Sequence, residues 1–149
     1  MHIEIISFQA FHIAECAKLY CETYSAEPWN EHWDSEQPII DFLSAHFANN
    51  YFLGFVVKAK NKIIAASIGF KKPWNQGMEY YIDEFFIHPA YQRLHIGSRL
   101  MQYIEQQCQT LKLNAVILNT ERGYPSELFY KKNHFLEHQG LMILSKMLS

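Results

Sequence analysis

Ile82-Asp83-Glu84-Phe85-Phe86-Ile87-His88-Pro89-Ala90-Tyr91-Gln92-Arg93-Leu94-His95-Ile96-Gly97-Ser98-Arg99-Leu100 decides how this chain is read. The order is an apolar run, a Pro-containing turn, a short polar loop closing on Gly97-Ser98, and an amphipathic helix. A loop that opens a helix in this way is a cradle for phosphate. The backbone N–H groups of the first helical turn have no intrahelical acceptor, and the helix dipole favours negative charge there. Gly97 lets an anion approach the backbone closely, and Arg93 and Arg99 add positive charge. The run lacks the Lys-Ser/Thr ending of a nucleoside-triphosphate loop and the three-glycine spacing of a dinucleotide fingerprint.

At these residues the chain resembles the GNAT N-acetyltransferase superfamily. Its members carry Gln/Arg-x-x-Gly-x-Gly/Ala between their fourth strand and third helix and bind the pyrophosphate of acetyl-CoA there. The corresponding run is Gln92-Arg93-Leu94-His95-Ile96-Gly97-Ser98, and Phe85-Phe86-Ile87-His88-Pro89 resembles the strand that leads into it. One position departs: His95 stands where the family has its first glycine. If that position needs a positive φ, histidine adopts it at a moderate strain cost.

A second match lies downstream. Leu113–Asn119 is an apolar run rich in branched residues, the pattern of a strand buried on both faces. Thr120 to Pro125 then leads into a helix that Ser126 is placed to cap, ending at Tyr130-Lys131-Lys132-Asn133-His134-Phe135. This is similar to the family's Tyr four residues before a Gly-Phe pair, with His134 in place of the glycine. The resemblance covers roughly residues 1 to 145.

Bulk properties agree with one such domain over residues 1–149, with 49% hydrophobic and 15% aromatic residues to build a core. A formal charge of −2 gives no electrostatic case for nucleic acid or an anionic membrane. Three cysteines, Cys16, Cys21 and Cys108, without CxxC spacing fit a reducing compartment, as small buried hydrophobes. With no apolar leader and no membrane-length run, the expected location is the cytoplasm.

The periodicities predict an α/β alternation. Strands are expected over His2–Phe8, Tyr51–Lys58, Lys62–Phe70, Glu79–Ile87, Leu113–Asn119 and Gly140–Met147. Helices are expected over Phe11–Tyr24, Pro38–Ala48, Ser98–Leu111 and from Ser126, with Lys71–Gly77 a turn or short loop. By resemblance this is a GNAT fold: a mixed, mostly antiparallel sheet with helices on both faces and strands splayed at the acetyl-CoA site.

Acetyl transfer to an amine needs a neutral nucleophile, a polarised thioester carbonyl and a proton for the departing thiolate. An alkyl ammonium must first lose a proton, so a carboxylate at a strand end is useful as base. Asp83 and Glu84 are the candidates. Alternation sends neighbours to opposite faces unless a bulge intervenes, and the resemblance favours Glu84 for the base, leaving Asp83 to the acceptor. An ordinary structural salt bridge is the competing reading of both.

The resemblance makes Tyr130 the proton donor to the thiolate, and makes the Phe86 and Ile87 backbone the strand-like partner of the pantetheine arm. Asn119 is expected to add a cofactor contact. Trp29, Glu31 and Trp33, in Glu27-Pro28-Trp29-Asn30-Glu31-His32-Trp33-Asp34, lie where relatives bind acceptor, and Glu121 adds negative charge. Acids with aromatics suit a small cationic amine, an aminosugar or polyamine-like acceptor; the competing reading folds both Trp rings into the core.

No metal site is expected, because His134 and His138 have no further ligand grouped with them. Two other functional readings stand beside the enzyme: a catalytically weakened acyl-CoA-binding or regulatory module, and a protein or peptide amine acetyltransferase. The apolar stretch Leu141-Met142-Ile143-Leu144 is expected to be a strand edge available for homodimer pairing.

Overall fold

The computed structural model describes residues 1–148. Its internal contacts divide into two compact units, the first running from Met1 to Asn119 and the second beginning at Thr120. In the first unit, β1 (Glu4–Ser7) is followed by α1 (Ile13–Ser25), α2 (Gln37–Phe47), β2 (Phe52–Ala59), β3 (Lys62–Trp74), β4 (Gly77–Ile87), α3 (Ile96–Thr110) and β5 (Val116–Leu118). The sheet order is β1-β2-β3-β4-β5, antiparallel throughout except for the parallel β4–β5 pair. The expected mixed, mostly antiparallel sheet is therefore present.

Each face of the sheet is closed by helices. On one face Cys16, Ala17 and Leu19 of α1 and Ile39 and Leu43 of α2 pack against Val56, Ile63, Ala66, Ile68 and Phe86. On the other, Phe55 and Tyr103 of α3 meet edge to face at 5.6 Å, and Leu100, Met101, Ile104 and Cys108 are buried as the helical period predicts. The β2–β3 hairpin turns on Lys60 and Asn61, both left-handed at φ 50° and 64°, the geometry a tight two-residue turn needs.

Three sequence expectations are corrected here. Lys71–Trp74 continues β3 and Gly77 opens β4, so the predicted loop shrinks to Asn75-Gln76; this exposed end of the ladder reads as a turn because its side chains face water. β5 is three residues long and half-buried, not buried on both faces. Cys21 is half-buried, whereas Cys16 and Cys108 are buried as expected.

The second unit contains α4 (Pro125–Lys132). Pro125 takes the first helical position and Tyr124 the cap, so Ser126 does not cap; its hydroxyl accepts instead from Thr120 Oγ1 at 2.9 Å. The predicted strand over Gly140–Met147 does not form: the segment has no ladder partner among the described residues, and Leu141 to Leu144 are 70–82% exposed. A lone apolar run with neither partner nor buried face gains nothing from extension.

Candidate active site

The site begins with a fault in the β3–β4 ladder. Ile68 faces Glu84, but the next pair is Gly69 with Ile82, so Asp83 is an extra residue, a β-bulge. Gly69 permits it, because a Cβ there would run into the backbone carbonyl of Tyr81. Before the bulge, Tyr80 packs on the α3 side against Phe55. After it, Phe86 packs on the opposite side, 5.4 Å from the Tyr20 ring and 6.0 Å from that of Tyr24 on α1. The bulge thus presents both acids to α1 and α2: Tyr24 donates to Glu84 Oε1 at 3.2 Å, and His46 Nε2 pairs with Asp83 Oδ2 at 2.8 Å. Asp83 thus has an imidazole within hydrogen-bond reach, and Glu84 a phenol.

Burial pushes the Glu84 carboxyl up to about 7, reinforced by the neighbouring Asp83 charge and opposed by the Tyr24 hydrogen bond and His46. The Tyr20 phenol is likewise pushed up, by burial first and then by Glu84 and Glu31. Trp29 meets Tyr24 edge to face at 5.0 Å, and Trp33 meets Tyr20 at 5.7 Å. Both Trp rings are half-buried beside the Tyr20–Tyr24 pair, and Trp33 also packs against the α1–α2 core, as the competing reading has it. Glu31 is exposed and ties its N–H to the Tyr24 carbonyl at 2.8 Å.

A second feature lies further along β4. Its pairing with β5 covers only Tyr80, Tyr81 and Ile82, whereas β4 runs on to Ile87. The β4–β5 ladder thus stops at Ile82 while β4 continues, which is the expected splay. Gln92 Nε2 donates to the Ile87 carbonyl at 3.0 Å, tying the following loop to the end of this strand. Arg93 and His95 are left-handed at φ 64° and 63°, and His95 precedes α3 directly. Histidine therefore keeps the backbone shape that a glycine would give. The first α-helical bond runs from Arg99 N–H to the His95 carbonyl at 3.0 Å, leaving the N–H groups of Ile96, Gly97 and Ser98 without an intrahelical acceptor. Leu94 is exposed, Ile96 and Gly97 are buried, and Ser98 is half-buried.

The family model described as the acetyltransferase (GNAT) family matches residues 13–135. The chain belongs to that family. It is an N-acetyltransferase, and the GNAT donor is acetyl-CoA. No curated protein matches it. Among solved structures it resembles a "possible acetyltransferase" from Clostridium difficile 630, at TM-score 0.82 and 17% identity, each chain covered in full. It also resembles a ribosomal-protein-alanine N-acetyltransferase from Brucella melitensis, at TM-score 0.78 and 10% identity, covering 98% of this chain and 100% of that one. A third is AAC(6')-Iy in complex with a bisubstrate analogue, CoA-S-monomethyl-acetylneamine, at TM-score 0.75 and 11% identity, with full coverage of both chains. At these identities the likeness is one of fold.

The residues present fit a CoA donor: an open strand edge, a helix start with free N–H groups, and Arg93 beside them. The Asn119 side-chain amide donates to the Tyr81 hydroxyl at 2.7 Å. Glu121 is exposed in the second unit.

That unit also explains the spacing around Tyr130, which is buried. His134 N–H donates to the Lys131 carbonyl and Phe135 N–H to the Tyr130 carbonyl, at 3.1 and 3.0 Å. With His134 left-handed at φ 71° and the Tyr130 and Phe135 rings 5.4 Å apart, this is a complete Schellman helix end.

Sequence reasoning missed Tyr20, Tyr24 and His46. Tyr20 and Tyr24 are four apart on a helix that ends beside the acidic loop, a spacing that puts them on one face. His46 carried no signal, because its partner Asp83 is aligned with it only by the bulge.

Proposed function

We propose that this GNAT enzyme transfers the acetyl group to the primary amine of a small cationic acceptor, an aminosugar or polyamine-like molecule, by direct attack within a ternary complex. The observation that carries the reading is Glu84: a half-buried carboxylate raised to about 7, held by Tyr24 and flanked by aromatic rings. A base poised near neutrality removes a proton from an ammonium more effectively than an ordinary carboxylate does.

Acetyl-CoA supplies an activated thioester carbonyl. Asp83, Glu31 and the Trp29, Trp33, Tyr20 and Tyr24 rings attract the cationic acceptor through charge and cation–π contact. Glu84 takes one proton from the bound ammonium, directly or through water, and the freed nitrogen lone pair forms the new N–C bond as the C–S bond breaks; the acylated nitrogen then sheds its second proton to water, which makes good the one given to the thiolate. The Phe86–Ile87 backbone pairs with the pantetheine arm, and the loop from Gln92 to Ser98 holds the pyrophosphate. The resemblance assigns Tyr130 the proton that the departing thiolate takes. The left-handed backbone at His95 favours a working cradle over the weakened binding module.

The test is a turnover scan with acetyl-CoA, comparing aminosugars and polyamines with peptides, on the wild type and Glu84→Gln. Turnover of small amines, with kcat/KM reduced about 10²–10⁴-fold in Glu84→Gln, is expected. Peptide turnover with none for small amines overturns the acceptor class, and an unimpaired Glu84→Gln overturns the base.

A further inference from the structure

We propose that His46 is a positioning residue for the reaction, holding the Asp83 carboxylate against α2 so that it sets how firmly Glu84 keeps its proton. The inference rests on Glu84 as the base and assigns its regulation. Asp83 is the bulged residue of β4, so the regular ladder does not fix its side chain in the alternating order. The 2.8 Å contact with His46 Nε2 does.

His46 is itself fixed. Its ring stands at 90° to that of Phe42, 4.8 Å away and four residues earlier on α2. Phe42 in turn packs edge to face on Tyr20 at 6.0 Å, in the same aromatic group as Tyr24 and Phe86. The His46 and Asp83 side chains are 18% and 39% exposed, so the pair lies at the rim rather than in bulk water.

The groups acting on Glu84 come from every element around it. From α1, Tyr24 donates a hydrogen bond and Tyr20 presents its phenol; Glu31 contributes a negative charge from the loop; Asp83 adds a second from β4; and His46 on α2 opposes both. Two carboxylates strengthen proton binding at Glu84, whereas His46 weakens it. His46 faces Asp83 directly, so beside its own effect on Glu84 it acts through the position and compensation of that one charge.

The experiment follows the acidic limb of kcat/KM and, separately, the ¹³C titration of the Glu84 side-chain carboxyl by NMR. The proteins are the full-length wild type, Asp83→Asn, His46→Ala, His46→Gln and the double variant Asp83→Asn/His46→Ala. Asp83→Asn is expected to lower the Glu84 midpoint, and His46→Ala to raise it, each by about half a pH unit or more. In the Asp83→Asn background, His46→Ala is expected to move the midpoint clearly less than it does with Asp83 present. His46→Gln keeps a donor for Asp83 but not the imidazole, and its midpoint should lie between the wild type and His46→Ala. Lost turnover in His46→Ala with an unmoved Glu84 midpoint overturns the proposal, as does an equal shift with and without Asp83. The NMR titration decides this even if Glu84→Gln retains the kinetic limb, a result that would sink the base assignment alone.

Discussion

The two halves of β4 differ more than their shared strand geometry suggests. From Gly77 to Ile82 the strand is hydrogen-bonded to β3, pairs with β5 at its last three positions, and buries Tyr80 and Ile82. Its one buried phenol is fully occupied: the Tyr80 hydroxyl donates to the Leu53 carbonyl at 3.0 Å and shares a 2.8 Å bond with Ser67. From Asp83 to Ile87 the strand keeps only β3, faces the other way, and carries a carboxyl held near neutrality. One inserted residue separates a half that stabilises from a half built for chemistry. The Tyr80 hydroxyl in the first half is held by Ser67 and Leu53 within the sheet, whereas the two carboxyls of the second are held by side chains of α1 and α2.

Three experiments bear on that contrast. The largest effect belongs to the first half: Ile82→Ala should cost about 2–4 kcal/mol in urea unfolding while kcat of the folded enzyme stays near wild type. A kcat loss of the same order would erase the distinction between the halves. Glu84 should give the next largest effect. Its carboxyl is raised from 4.5 to about 7 in the fold, so between those pH values the native state keeps a proton that the unfolded chain releases. Stability should therefore fall as pH rises through that window, by roughly 2 kcal/mol once partial solvent contact is allowed for. Chemical denaturation at pH 5 and pH 8 should show that slope in the wild type and its loss in Glu84→Gln. The smallest is Tyr80→Phe, which strands the Ser67 hydroxyl and the Leu53 carbonyl at a cost of about 1 kcal/mol with no change in the pH profile.

Much of this architecture was readable before any coordinates. The hairpin at Ala59-Lys60-Asn61 (Ala59 in fact closes β2) and the inward stripe of α3 follow from local rules, because each depends on neighbours within a few residues. The bulge was not readable. Nothing in Ile82-Asp83-Glu84 announces that alternation breaks there, since the cause sits across the ladder at Gly69. Everything resting on it was hidden too: that both acids share a face, and that His46, 37 positions away, meets one of them. The stretch from Leu141 to Leu144 misled for the opposite reason. Its composition suits a strand, but a strand exists only with a neighbour.

The helix end at Tyr130 bears on how such sequences are searched. A tyrosine, three residues, a left-handed position and a phenylalanine satisfy the hydrogen-bonding grammar of a terminating helix whatever the tyrosine does afterwards. Part of the signal in that signature is therefore conformational punctuation. A search that demands glycine at the left-handed position discards chains like this one, in which histidine spells the same stop.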